Sequence, residues 1–189
     1  MVLFVAAAVP LTDASLSWLR EVARAAPESR VVRGEGLHLT LRYLGPTDCE
    51  DPSGLAAELG RLVVDAGPFP VRLEGIGAFP SLGRPRAIWV GVTEGRAELV
   101  HLGRLLAPGE PEITPHCTLA RVGGKISPTS RDRLRELERV GLAPLEFRCA
   151  SVGLFESRTA PRGPAQYRCL GELLPSGSAA ERTSPEGIE

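Results

Sequence analysis

The sequence predicts an α+β fold in which one unit occurs twice and faces a shared groove. Two observations carry this. The tetrapeptide His-x-Thr-Leu is written twice, as HLTL at residues 38–41 and HCTL at residues 116–119, 116 − 38 = 78 residues apart. Around each copy the order helix, His-x-Thr strand, helix, strand, loop, strand recurs at nearly the same offset, which points to internal duplication. Duplicated α+β units pack with pseudo-two-fold symmetry, so the groove between them is where the two copies meet.

Each element follows from its pattern. VLFVAAAV (2–9) is an apolar run of β type. TDASLSWLREVARAA (12–26) is a helix, with Thr12 or Asp13 as N-cap and Leu16, Leu19, Val22 and Ala23 on one face. LHLTLRYL (37–44) alternates and reads as a strand. PSGLAAELGRLVVDAG (52–67) is a helix with Leu55, Leu59, Leu62 and Val63 inward. PFPVRLEGIGAF (68–79) and RAIWVGV (86–92) are strands joined by the loop FPSLGRP. EGRAELVHLGRLLA (94–107) is a helix with Leu99, Leu102 and Leu106 on one face, and HCTLARV (116–122) is a strand. SPTSRDRLRELERVG (127–141) is a helix capped by Ser127, with Pro128 at its first position and Gly141 past its end. LEFRCASVGLFES (145–157) and AQYRCLGELL (165–174) read as the last strands, joined by RTAPRGP. Residues 1–174 are thus expected to form a single domain, and the polar stretch 175–189 a disordered tail.

Composition narrows the function. The chain has 189 residues and a net charge of −1, which argues against a strong non-specific grip on long nucleic acid. A local basic cleft remains compatible with it. Lys125 is the only lysine, so 22 − 1 = 21 of the basic residues are arginine, a bias read first as that of a GC-rich genome; arginine's planar fork is also the better phosphate ligand, so each arginine is judged by its position. Cys49, Cys117, Cys149 and Cys169 show no CxxC spacing and no zinc pattern, and read as reduced thiols of a cytoplasmic protein. The opening MVLFVAAAVP lacks a basic flank and is too short to span a membrane.

Strand alternation assigns faces in the paired motif. Leu37, Leu39, Leu41 and Tyr43 share one face, expected to pack on a helix; His38, Thr40 and Arg42 share the other, expected to look into the groove. His116 and Thr118 share a face opposite Cys117 and Leu119. Two strands would then present two imidazoles and two hydroxyls to one cavity. Imidazole titrates near neutrality, so one ring can accept a proton while the other donates. That suits in-line displacement at phosphorus, with threonine hydroxyls donating to the non-bridging oxygens. No metal or other cofactor is required, and two histidines without a carboxylate or thiolate at ligand spacing make a poor metal site. His101, on a helix with no partner motif, is read as an ordinary helix residue. Trp89, mid-strand, is read as core.

HLTLRYLG, GIGAFPSLGRPRAIWVGV and PHCTLAR together resemble the signatures of the 2H phosphoesterase superfamily. More narrowly, they are similar to the bacterial and archaeal RNA 2′,3′-cyclic phosphodiesterases, also called 2′-5′ RNA ligases. The likeness runs from LFVA near the start to the strand ending near residue 174. It implies a bilobal fold with antiparallel sheets around a central cleft and helices on the outer faces. It implies metal-independent hydrolysis of RNA or nucleotide 2′,3′-cyclic phosphate to a 2′-phosphomonoester, and reversible 2′-5′ RNA joining. By position, the resemblance makes His38, Thr40, His116 and Thr118 catalytic, with His116 as base and His38 as acid, roles that the sequence also allows to be exchanged. Arg121, after the second motif, would help hold phosphate, although simple alternation turns it away from His116 unless the strand ends or bulges there. Arg42 has the parity to join it, and reads equally as a solvated edge residue. The FPSLGRPR loop has two readings: Phe79 stacks on a base and Arg84 and Arg86 meet phosphates, or Phe79 caps the core and the arginines are solvated. Two departures stand out: Cys117 replaces a larger aliphatic residue, and the stretch between Leu106 and His116 is short. The expected partner is an RNA terminus or nucleotide bearing a 2′,3′-cyclic phosphate, bound by a monomer. The alternatives are a 2H phosphodiesterase for another small cyclic or 2′-5′ nucleotide, and a non-catalytic module that binds RNA ends.

Overall fold

A computed structural model describes residues 1–158 and 165–174. The expected tail and most of the RTAPRGP loop lie outside the described residues. The elements run β1 (Val2–Ala8), α1 (Asp13–Ala25), β2 (Arg30–Val31), a 3₁₀ turn (Gly34–Gly36), β3 (His38–Pro46), α2 (Pro52–Leu62), β4 (Phe69–Phe79), β5 (Ala87–Glu94), α3 (Arg96–Leu106), β6 (His116–Arg121), α4 (Pro128–Val140), β7 (Leu145–Cys149), β8 (Val152–Arg158) and β9 (Gln166–Leu174). Among the described residues no helix is long and apolar enough to cross a membrane.

The strands form one curled sheet in the order β7-β4-β5-β6-β3-β1-β8-β9, with β2 added against β6, and every pairing is antiparallel. The two motif strands lie side by side at its centre. They touch at a single ladder pair, Leu39 with Cys117, so the expected antiparallel sheets are two halves joined along a thin seam. Beside β6 lies β5, and beside β3 lies β1. By position in the sheet, the counterpart of the 86–92 strand is therefore the first strand and not the last.

One expected strand is two. LEFRC pairs with β4 at one edge, whereas VGLFESR crosses to the other half and pairs with β1. The corner falls at Ala150–Ser151, where the buried positions change phase: Leu145 and Cys149 point inward before it, Val152 and Leu154 after it. The two-residue strand β2 was not foreseen.

One face of the sheet carries the core. Leu39, Leu41, Cys117 and Leu119 are buried against the helices, with Leu3, Val5 and Ala7 of β1 and Ile88 and Val90 of β5. α3 packs on β3 and β5, α1 on β6 and α4, and α2 on β8 and β9. The helix faces hold with small changes. In α1 the buried stripe is Ser15, Trp18, Leu19, Val22 and Ala25, which keeps Leu19 and Val22 of the expected face and replaces Leu16 and Ala23; Thr12 is the N-cap and forms a reciprocal capping box with Ser15. In α2, Leu59 and the following Val63 are buried while Leu62 is exposed. Ser127 and Pro128 begin α4 as expected, and the Ser127 hydroxyl accepts from the Ser130 amide.

Trp18 is the largest fully buried side chain, and its indole N–H donates to the Ala143 carbonyl at 2.7 Å. It ties α1 to the segment after α4. Trp18→Ala should therefore lower unfolding stability by about 3–5 kcal/mol, the range for emptying a buried aromatic site. Guanidinium unfolding of the variant checks it through a fall in the midpoint at unchanged slope.

Candidate active site

The register at the seam assembles the quartet. Leu39 faces Cys117 across the antiparallel ladder. One residue out on either side, His38 lies across from Thr118, and Thr40 from His116. Leu39 and Cys117 are wholly buried on the helix side, so these four residues lie on the opposite, concave face, where each is half-buried. The two histidines are diagonal neighbours, about 7–8 Å apart at the backbone, close enough for side chains to reach one group between them.

Each imidazole is held the same way. His38 Nδ1 lies 2.7 Å from the Gly36 carbonyl, and His116 Nδ1 lies 2.7 Å from the Thr114 carbonyl. A carbonyl only accepts, so Nδ1 carries the proton in both rings and Nε2 is the unprotonated ring nitrogen of each neutral imidazole. Each ring is also walled by aromatics. His38 sits 4.9 Å from Phe4 and 4.9 Å from Tyr167; His116 sits 4.9 Å from Phe79 and 6.1 Å from Trp89 (ring centroids). Glycines make room for these walls. A Cβ at Gly77 would come within 2.3 Å of the Trp89 ring, and one at Gly36 within 2.9 Å of Tyr167.

Burial pushes both imidazoles below their ordinary pKa. The Gly36 and Thr114 carbonyls pull partway back by holding the Nδ1 proton. The Arg121 guanidinium then lowers both, and His116 lowers His38 further. In the free protein, therefore, both rings favour the neutral, proton-accepting form. A phosphodiester anion placed between them acts in the opposite direction and favours protonation.

Paired bulges settle which neighbours join the quartet. In the β1–β3 ladder Thr40 pairs with Ala6 but Arg42 with Val5; in the β5–β6 ladder Thr118 pairs with Trp89 but Ala120 with Ile88. Leu41 and Leu119 are thus extra residues, 119 − 41 = 78 positions apart, and each reverses the alternation that follows it. The bulge in β6 turns Arg121 onto the concave face, where it lines a cavity of about 420 Å³ with His38, Thr40, Phe4, Tyr43 and Tyr167. The bulge in β3 does the converse to Arg42. Contrary to its parity, Arg42 leaves the groove, lies by α3 and donates to the Leu106 carbonyl at that helix's end. Tyr43, expected on the helix face, is 68% exposed and lines the cavity in the position equivalent to Arg121.

Of the other residues singled out, Phe79 is 37% exposed at the end of β4, against His116. Trp89 is half-buried on the cavity side and is not part of the apolar core expected for it. The cavity beside His38 and Thr40 does not have His116 or Thr118 in its lining, so the expected single cavity for all four is not found among the described residues, although the four share one face of the sheet. Arg84 and Arg86 line a second cavity. Cys117 is fully buried, and burial pushes its thiol up to about 12, leaving it inert at neutral pH. His101 is exposed on α3. Arg30, Tyr43 and Tyr167 join the cavity without having been foreseen. Only Tyr43 had a signal, its 78-residue spacing from Arg121. Among the described residues no group of three or more His, Cys, Asp or Glu is placed to hold a metal ion.

Comparison with known proteins identifies the family. A family model described as the 2′-5′ RNA ligase superfamily matches residues 11–161. The chain is 34% identical over 176 residues to an RNA 2′,3′-cyclic phosphodiesterase of Aeropyrum pernix, covering 86% of this chain and 96% of that protein. It is 31% identical over 143 residues to one of Archaeoglobus fulgidus, covering 71% and 78%. Among solved structures, TT0787 of Thermus thermophilus superposes with a TM-score of 0.62 at 27% identity, covering 95% of this chain and all of that one. Escherichia coli LigT in its apo form superposes with a TM-score of 0.65 at 23% identity, covering 90% and 95%. The chain belongs to the 2′-5′ RNA ligase superfamily of 2H phosphoesterases.

Proposed function

We propose that this protein hydrolyses the 2′,3′-cyclic phosphate of an RNA end or nucleotide to a 2′-phosphomonoester, with His116 as general base and His38 as general acid. The observation that carries the reading is the paired setting of two imidazoles on one concave face, each with Nδ1–H committed to a backbone carbonyl and Nε2 left to work. The relatives' names support the substrate class.

Phosphorus sits between the two rings. His116 Nε2 takes a proton from water as its oxygen bonds to phosphorus; the P–O3′ bond breaks, and His38 Nε2–H delivers its proton to O3′. The product keeps phosphate on O2′, and each ring returns to its starting state by exchange with solvent. His116 has the more exposed carbonyl contact of the two, which favours it as the ring that meets water. Thr40 and Thr118 donate to the non-bridging oxygens, and Arg121 offsets the charge that develops on them. With an RNA 5′-hydroxyl in place of water, the same proton transfers yield a 2′-5′ phosphodiester. A module that only bound RNA ends would need neither a locked tautomer nor a second imidazole. We also read the two halves as copies of one unit, since the sheet order and the bulges at Leu41 and Leu119 both repeat about the β3–β6 seam.

The test is to incubate the protein with a nucleoside 2′,3′-cyclic phosphate and excess EDTA and to identify the product isomer. The 2′-phosphate at an undiminished rate is expected. The 3′-isomer, or a rate abolished by the chelator, contradicts the mechanism.

A further inference from the structure

A concentrated basic feature of the molecule lies outside the histidine cavity. A cavity of about 550 Å³ is lined by Arg84, Arg86, Lys125 and Arg131, with Gly83, Pro85, Gly124 and Ile126. Four cations line it and, among the described residues, no carboxylate does. Such a concentration of one sign costs stability unless a counter-charge visits it. Arg131 adds a second sign of a missing ligand: its Nε is buried and, among the described residues, has no hydrogen-bond partner. A buried guanidinium N–H without an acceptor is unfavourable and calls for an anion or a water.

Among the described residues the cavity shares no lining residue with the one beside His38, but its Arg86 adjoins the strand that carries Arg121. Arg121 pairs with Ala87 across the β5–β6 ladder, and one residue beyond it Val122 N–H donates to the Arg86 carbonyl at 2.9 Å. The basic cavity therefore begins one strand spacing, about 5 Å, from the arginine beside the imidazoles. The loop between β4 and β5 connects them physically. Phe79 at its start lies against the His116 ring, the Arg86 amide closes the loop on the Phe79 carbonyl at 2.6 Å, and Arg84 and Arg86 line the cavity.

We infer that this cavity binds backbone phosphates of the RNA strand on the 5′ side of the terminal cyclic phosphate, which makes an oligonucleotide end a better substrate than a cyclic mononucleotide. This rests on the proposed phosphodiesterase reading and specifies its substrate. Phe79 supplies a sequence-tolerant stacking surface at the turn, and the arginine forks and Lys125 supply charge without reading bases.

The experiment compares a cyclic mononucleotide with a pentanucleotide ending in a 2′,3′-cyclic phosphate. It measures kcat/KM, and separately the Kd of a fluorescent pentanucleotide carrying a terminal 2′-phosphate, across a salt series. The variants are Arg84→Gln, Lys125→Gln, the double variant, and Lys125→Arg as the charge-conserving control. The double variant is expected to lower the pentanucleotide-to-mononucleotide ratio of kcat/KM by about tenfold or more, as for loss of charged hydrogen bonds. The slope of log Kd against log salt should fall by about 0.7 for each contact removed, with Lys125→Arg close to the unaltered protein. An unchanged ratio together with an unchanged salt slope overturns the inference while leaving the phosphodiesterase reading intact. Absence of turnover on either substrate overturns the phosphodiesterase reading instead, and the Kd series then still decides whether the cavity grips the strand. Binding of inorganic phosphate or a free nucleotide as tightly as the pentanucleotide also overturns it.

Discussion

His116→Ala and His38→Ala should each lower kcat on a 2′,3′-cyclic phosphate by about 10²–10⁴-fold, the usual worth of a positioned acid or base. Neither change should unfold the protein. Both rings lie on the concave face, and the core beneath them is made by Leu39, Cys117, Leu41 and Leu119. Circular dichroism and an unchanged unfolding midpoint check this. The double variant should be little worse than either single one, because an acid without its base, or a base without its acid, already fails the concerted transfer. The two roles separate with a substrate whose 3′-oxygen is replaced by sulfur. A thiolate leaves without a proton, so His38→Ala should regain most of its lost rate on that substrate, whereas His116→Ala should not. Recovery in His116→Ala alone would exchange the assignments.

Arg121→Gln should lower kcat/KM by about 10²–10³-fold, as for removal of one donor that meets developing charge on a reacting centre. It should also change the pH profile, in a direction the geometry dictates. Burial is the main reason both imidazoles lie below the ordinary 6.5, and Arg121 lowers them further. The base must be neutral in the free enzyme, so the acid limb of kcat/KM falls below pH 6.5 in the unaltered protein. Without the guanidinium the proton is held more tightly, and the limb moves to higher pH. A rate loss with an unmoved limb would mean that Arg121 holds substrate without tuning the imidazoles. A downward shift would contradict the sign of its influence.

The shared face of the four candidate residues was legible because two patterns agreed: strand alternation put His and Thr on one face of each strand, and the recurrence of the motif after 78 residues pointed to two strands facing one groove, which lie side by side in the sheet. What was not legible came from single-residue irregularities. One extra residue at Leu41 and one at Leu119 reverse the faces of the residues that follow directly, which exchanges Arg42 for Tyr43 at one strand and admits Arg121 at the other. Period-2 reading has no means of placing a bulge when the bulged residue is an ordinary leucine. The join between β7 and β8 was hidden in the same way: no glycine or proline marks Ala150–Ser151, and only the change in phase of the apolar positions shows that the chain crosses to the other half of the sheet. The cations of the FPSLGRPR loop were read as facing phosphate, but which cavity they line depends on where β6 hands over to α4, a tertiary fact with no local signal.

The central claim is that His38 and His116 act on one phosphorus centre. ¹⁵N NMR of the two imidazoles, titrated with pH in the free protein and again with a nucleoside 2′-monophosphate bound, tests it most directly. Both rings should appear as Nδ1–H tautomers with pKa values below 6.5 when free, and both pKa values should rise together when the phosphate binds. A response confined to one ring, or absent from both, would show that the imidazoles do not share an anion, and the proposed mechanism would fail with it.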